Sequence, residues 1–139
     1  SFRTYDEYNE LYFAVIEILK KRGRVVIDKK LTELEETYTK HSLEVFNELL
    51  DLEKIKKEEI GLLIPSQISK EFLPNLAKAL DFPMEKIVDI TSICEDTLTT
   101  SVLLALQHAK DKDLVKPGTK VAFMNFGSGI SISGAIYNF

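Results

Sequence analysis

Short apolar runs alternate with longer stretches of helical period along this chain, and that alternation limits its fold more than any other feature. Leu62-Leu63-Ile64 is bounded by Gly61 and Pro65 and holds no polar residue. A run so short and so uniformly apolar predicts a strand buried on both faces. Such strands belong to sheets that helices cover on both sides. Helical stripes do flank it. Leu34, Tyr38, Val45, Phe46 and Leu49 predict a helix over 31–50, and Phe72, Leu76 and Leu80 predict another ending at Leu80. Pro74 lies inside the second and should kink it or delay its start. Tyr8, Leu11, Val15 and Leu19 predict a first helix over 5–21, stopped by Gly23. The residues at 24–28 and 86–90 read as further short strands, and 54–59 as a charged, solvated turn or short helix. A helix over 97–110 carries Val102, Leu103, Leu104, Ala105 and Leu106 through its middle turns. With so little polar face it should be buried on most sides.

The last fifth is built differently, holding four of the six glycines: Gly118, Gly127, Gly129 and Gly134. A strand pair over 120–126 and 130–139, joined at Gly127-Ser128-Gly129, must be antiparallel. The expected class is therefore α/β. Its sheet should be mixed and mostly parallel, with helices on its faces and an antiparallel strand pair at the C-terminus.

Composition narrows the function. A length of 139 residues suits one domain. Lys plus Arg is 18 against 22 Asp plus Glu, a net charge of −4, where a nucleic-acid binder would carry a basic excess. No apolar run approaches the ~20 residues of a membrane span, and Asp6, Glu7 and Glu10 interrupt any signal-peptide pattern. The single cysteine, Cys94, excludes an internal disulfide or a multi-cysteine zinc site and fits a reducing, cytoplasmic location. His41 and His108 have no ligand spacing, so neither a metal nor a cofactor is expected. Cys94 has no histidine in its segment and reads as a small buried thiol.

Five short motifs come in a fixed order: Ile64-Pro65-Ser66-Gln67, Glu95-Asp96-Thr97, Lys116-Pro117-Gly118, Phe126-Gly127-Ser128-Gly129 and Ser133-Gly134-Ala135. Together they resemble the C-terminal half of beta-ketoacyl-acyl carrier protein synthase III, a condensing enzyme of thiolase fold. The resemblance runs from about Leu31 to Phe139, and the chain is expected to stop where the family stops. Residues 1–30, read as a helix and a strand, carry no motif of that family; 31–139 would be the synthase-like part of a single domain.

The resemblance implies that the nucleophilic cysteine lies in an N-terminal half, while this half supplies a histidine and an asparagine. Those two stabilise the enolate formed on decarboxylation, as oxyanion-hole donors do. The chain departs from the family at both positions. Ser66 stands where the motif has histidine, and Asp96 where it has asparagine. Serine is shorter than imidazole and takes no proton near neutral pH, and an ionised aspartate only accepts hydrogen bonds. From the residues alone, Ser66 reads as a turn or cap and Asp96 as a helix N-cap. The Gly127-Ser128-Gly129 turn lies between strands and is no phosphate loop; by resemblance it borders the active-site cavity together with Gln67.

The expectation is therefore the C-terminal domain of a synthase III-like acyltransferase of fatty-acid or polyketide type. This chain alone should be inactive, and ordinary condensation defective. Expected partners are the N-terminal half of the same fold, an acyl carrier protein or acyl-CoA, and a second copy in a homodimer. The alternative is a non-catalytic α/β binding or interaction module.

Overall fold

The computed structural model describes residues 1–8, 24–94, 100–127 and 130–139. Strand β1 is Phe2–Thr4, followed by a 3-10 turn at Asp6–Tyr8. Helix α1 spans Arg24–Glu53, strand β2 Leu62–Pro65 and helix α2 Phe72–Leu80. Helix α3 spans Ser101–Asp111, and strands β3 and β4 are Lys120–Gly127 and Ser131–Asn138. The sheet order is β1-β4-β3-β2. β2 and β3 run parallel, while β3–β4 and β4–β1 are antiparallel.

Alternation along the strands separates two cores. Leu63, Ala122, Met124 and Ile132 face α1 and α2, joining Phe46, Phe72, Leu73 and Leu76. Leu62, Ile64 and Val121 face the other way, onto Val102, Ala105 and Ala109 of α3. β2 is buried along its whole length because helices lie on both of its faces. On the buried face of α1, Ser42 and Thr37 donate to the carbonyls of Tyr38 and Glu33, four residues back. Their hydroxyls are thereby satisfied in an apolar setting. Gly134 allows α1 to lie close on β4, since a Cβ there would stand 2.8 Å from Leu49 Cδ2.

Several expectations need correction. The 24–28 segment is not a strand: it forms the first turns of α1, which runs unbroken to Glu53. A short β-branched run does not by itself distinguish strand from helix, and its neighbours decide. The 86–90 strand shrinks to a 3-10 turn at Met84–Lys86 and one parallel bridge, Leu63 to Ile87. With β1 added on the far edge, the mixed sheet holds one parallel ladder and two antiparallel ones among the described residues, so parallel pairing does not dominate. The helix expected over 5–21 lies outside the described residues beyond Tyr8; Tyr5 itself donates its N–H to the Ile130 carbonyl at 2.8 Å. Pro74 falls in the first turn of α2, where the missing N–H breaks no intrahelical bond, and Ser69 Oγ accepts from Phe72 N–H at 3.0 Å. Helix α3 buries Ser101, Val102, Ala105 and Ala109 but leaves Leu103 66% and Leu104 44% exposed. Among the described residues, the flank of α3 that bears Val102, Ala105 and Ala109 is the covered one.

Candidate functional site

The parallel strands β2 and β3 end side by side, with Pro65 opposite Met124. The carboxyl ends of such strands are where α/β sheets place their ligands. Ser66 is the first residue beyond β2. Its N–H donates to the Met124 carbonyl at 2.9 Å, the next bond of the parallel ladder. A continued strand would then offer its backbone oxygen to Phe126 N–H. Instead Ser66 Oγ accepts that proton at 3.2 Å. The side chain ends the strand by replacing its last acceptor. Ser66 is only 6% exposed, and among the described residues its own O–H has no acceptor.

Gln67 is fully buried and its amide is saturated. Nε2 donates to the carbonyls of Pro65 and Val88, and Oε1 accepts from Ile90 N–H, each at 2.9 Å. This side chain takes the place of a strand ladder beside β2, which explains why 86–90 forms only a bridge. The Gln67 N–H donates to Ser101 Oγ at the start of α3, at 3.3 Å. One residue thus ties β2, the 88–90 segment and α3 together.

Opposite Ser66, the Phe126–Gly127 backbone is held from below. Tyr38 of α1 donates its phenol to the Gly127 carbonyl at 2.9 Å. Its ring packs edge-on against Phe126 (5.3 Å) and Phe72 (6.4 Å), and Phe72 meets Phe126 at 5.0 Å. A Cβ on Gly127 would stand 2.9 Å from Ser131 Oγ across the mouth of the hairpin, and that hydroxyl would have to turn aside. Sequence reasoning placed Tyr38 only in an apolar stripe. A tyrosine at a core position carries a hydroxyl that needs a partner, and that was the available signal.

The structure thus brings Ser66, Gln67 and Gly127 to one end of the sheet. Asp96, Ser128 and Gly129 lie outside the described residues. His41 packs on Tyr5 with ring centroids 4.0 Å apart, and His108 lies in the last turn of α3. Cys94 is half-buried and its thiol faces the Ile90 carbonyl at 3.8 Å. Among the described residues no cluster of His, Cys, Asp or Glu could hold a metal, and no helix is long and apolar enough to cross a membrane. The perturbed ionisations also lie elsewhere. Burial, then the Glu44 carboxylate, pushes Tyr5 up to about 12. The hydrogen bond from Lys57 holds Asp81 low, and that from Lys120 does the same for Glu59. The described part of the site is a set of neutral hydrogen-bonding groups fixed at the ends of two strands.

The fold is half of a thiolase-like α/β architecture. A crystal structure of cerulenin-bound OleA from Xanthomonas campestris overlays the whole chain with a TM-score of 0.78 at 19% identity, this chain covering 36% of it. The 3-oxoacyl-[acyl-carrier-protein] synthase III of Aquifex aeolicus overlays 78% of the chain with a TM-score of 0.74 at 27% identity, over 35% of its own length. The family described as 3-oxoacyl-[acyl-carrier-protein (ACP)] synthase III C terminal matches residues 50–139. The chain belongs to that family. Among curated relatives, the beta-ketoacyl-[acyl-carrier-protein] synthase III of Fusobacterium nucleatum is 32% identical over 92 residues, 66% of this chain and 28% of the relative. That of Oleidesulfovibrio alaskensis is 30% identical over 116 residues, 80% of this chain and 35% of the relative. The chain thus spans roughly a third of the length of these relatives.

Proposed function

We propose that this chain is the C-terminal half of a synthase III-like acyltransferase whose decarboxylative condensation is weakened, residues 31–139 forming the synthase-like part of a single domain. The observation that carries this reading is Ser66. It follows Ile64-Pro65 and precedes Gln67 at the end of a buried parallel strand, where the family motif has histidine. Its Oγ already accepts from Phe126 N–H, and its one remaining proton is on a shorter side chain than imidazole. Asp96, at the asparagine position, would repel an enolate rather than donate to it. Loss of one oxyanion donor typically costs about 2.7–4 kcal/mol of transition-state stabilisation, and here two are replaced.

The nucleophile comes from the N-terminal half, which packs on the exposed flank of α3 and the adjoining sheet face. Leu103 and Leu104 of α3 and Tyr137 of β4 are exposed, apolar side chains of the kind that an interface covers. Gln67, Gly127, Ser128 and Gly129 border the pocket for the acyl group or pantetheine. An acyl carrier protein or acyl-CoA delivers the substrate. The protein works in the cytoplasm as a homodimer. No described residue requires a cofactor for this role.

The test is turnover of malonyl-thioester by the full-length protein against an ordinary family member. The reading expects a rate at least a hundredfold lower, the effect of about one lost donor at the low end of the range. A rate within tenfold of the ordinary enzyme overturns it.

A further inference from the structure

The chain passes Gln67 and later returns to it twice. Gln67 Oε1 accepts from Ile90 N–H at 2.9 Å, where the connection towards α3 begins. The backbone N–H of Gln67 donates to Ser101 Oγ at 3.3 Å, in the first residue of α3. Nε2 adds bonds to the Val88 and Pro65 carbonyls, each at 2.9 Å. Gln67 and Ser101 are both fully buried, so these bonds act away from water, where they hold more strongly. Both ends of the stretch between Ile90 and Ser101 are therefore fastened to one residue. The near end continues as a tight turn, with Ile93 and Cys94 N–H donating to the Ile90 carbonyl at 2.8 and 3.0 Å. Of the two positions where the chain departs from its family motifs, Ser66 adjoins Gln67, and Asp96 falls in sequence between Ile90 and Ser101. The N–H groups of Gln67 are all spent on these partners, which leaves it no donor for a ligand. What it supplies is placement.

We infer that Gln67 is a positioning residue: it clasps the two ends of the stretch between Ile90 and Ser101 to the end of β2, so that this stretch keeps one setting relative to Ser66 when an acyl-thioester binds. The inference rests on the reading of this strand end as the acyl site. Gln67 touches no reacting atom and moves no proton.

The experiment uses the full-length protein with acetyl-CoA as the probe. Gln67→Met keeps the length of the side chain and deletes its bonds to Pro65, Val88 and Ile90; Ser101→Ala releases the other end and leaves the Gln67 amide in place. A stretch released at one end holds the binding setting only part of the time, so each variant should bind acetyl-CoA about three- to tenfold more weakly by calorimetry. Amide exchange at Ile93 and Cys94 should speed up in each, and saturating acetyl-CoA should slow it again, because a ligand repopulates the setting that it selects. Gly134→Ala, whose Cβ would meet Leu49, is the control for lost stability alone and should keep the parent's affinity and its exchange at these two amides. An equal loss of affinity in Gly134→Ala, or faster exchange at Ile93 and Cys94 with affinity unchanged, overturns the positioning role and leaves the site reading standing. Should Gln67→Met fail to fold, Ser101→Ala decides the question by the same readouts. A parent protein that does not bind acetyl-CoA overturns the site reading, and the inference with it.

Discussion

Gln67 satisfies three backbone groups with one amide. Replacing it with leucine would leave the Ile90 N–H and the Val88 carbonyl buried without partners. Each such group costs about 1–3 kcal/mol, so Gln67→Leu should lower unfolding free energy by about 2–6 kcal/mol, read from the urea midpoint. Gly134 makes the opposite kind of test. A Cβ there would stand 2.8 Å from Leu49 Cδ2, and Leu49 is itself buried. Gly134→Ala should cost about 1–2 kcal/mol by overpacking, and that increment should shrink when Gly134→Ala is made in a Leu49→Ala background, because removal of Cδ2 makes room. The residue scale also shows what a motif conceals. Ile64-Pro65-Ser66-Gln67 was legible as a unit. That Ser66 ends a strand while Gln67 replaces one depends on where the Phe126 N–H and the Ile90 N–H lie in space.

At the scale of elements, β1 is attached to α1 by charge and aromatic contact. Arg3 meets Glu44 at 3.1 Å and Glu48 at 2.9 Å, Tyr5 donates to Glu44 at 3.1 Å, and Tyr5 stacks on His41. These ion pairs are half exposed, so each adds little. The Tyr5 phenol is pushed up to about 12 by burial and then by Glu44. A folded-state value above the ordinary one means that its contribution is fully present below about pH 10 and is lost as pH rises towards 12. Stability should therefore fall more steeply over pH 10–12 in the parent than in Tyr5→Phe, as followed by denaturant unfolding at each pH. The elements also show where periodicity sufficed. The stripe through Leu34, Tyr38, Val45, Phe46 and Leu49 identified α1, because a helix buries a face at fixed spacing. Its true start at Arg24 was hidden by Val25-Val26-Ile27, a run that suits a strand just as well. Strand β1 was invisible for a different reason: three exposed residues carry no apolar alternation, and only their pairing with Ser131, Ile132 and Ser133 makes them a strand.

For the whole molecule, α3 carries an exposed flank in a chain that spans roughly a third of its relatives' length. Leu103 and Leu104 are exposed on α3, and Tyr137 on β4 and Phe2 on β1 are exposed as well. The isolated chain should self-associate through this surface, and Leu103→Glu/Leu104→Glu should shift it to monomer in multi-angle light scattering. A parent chain that stays monomeric at high concentration would count against that use of the surface.

Order along the chain was enough to establish the α/β class, the strand buried on both faces, the antiparallel C-terminal pair and the family, because each follows from local period or from motifs in series. Which hydrogen bonds end β2, what holds the 88–90 segment in place of a ladder, and which flank of α3 faces solvent were decided only by the folded chain. Those are matters of distance between residues tens of positions apart, such as Ser66 with Phe126 and Tyr38 with Gly127, and sequence order carries no record of them.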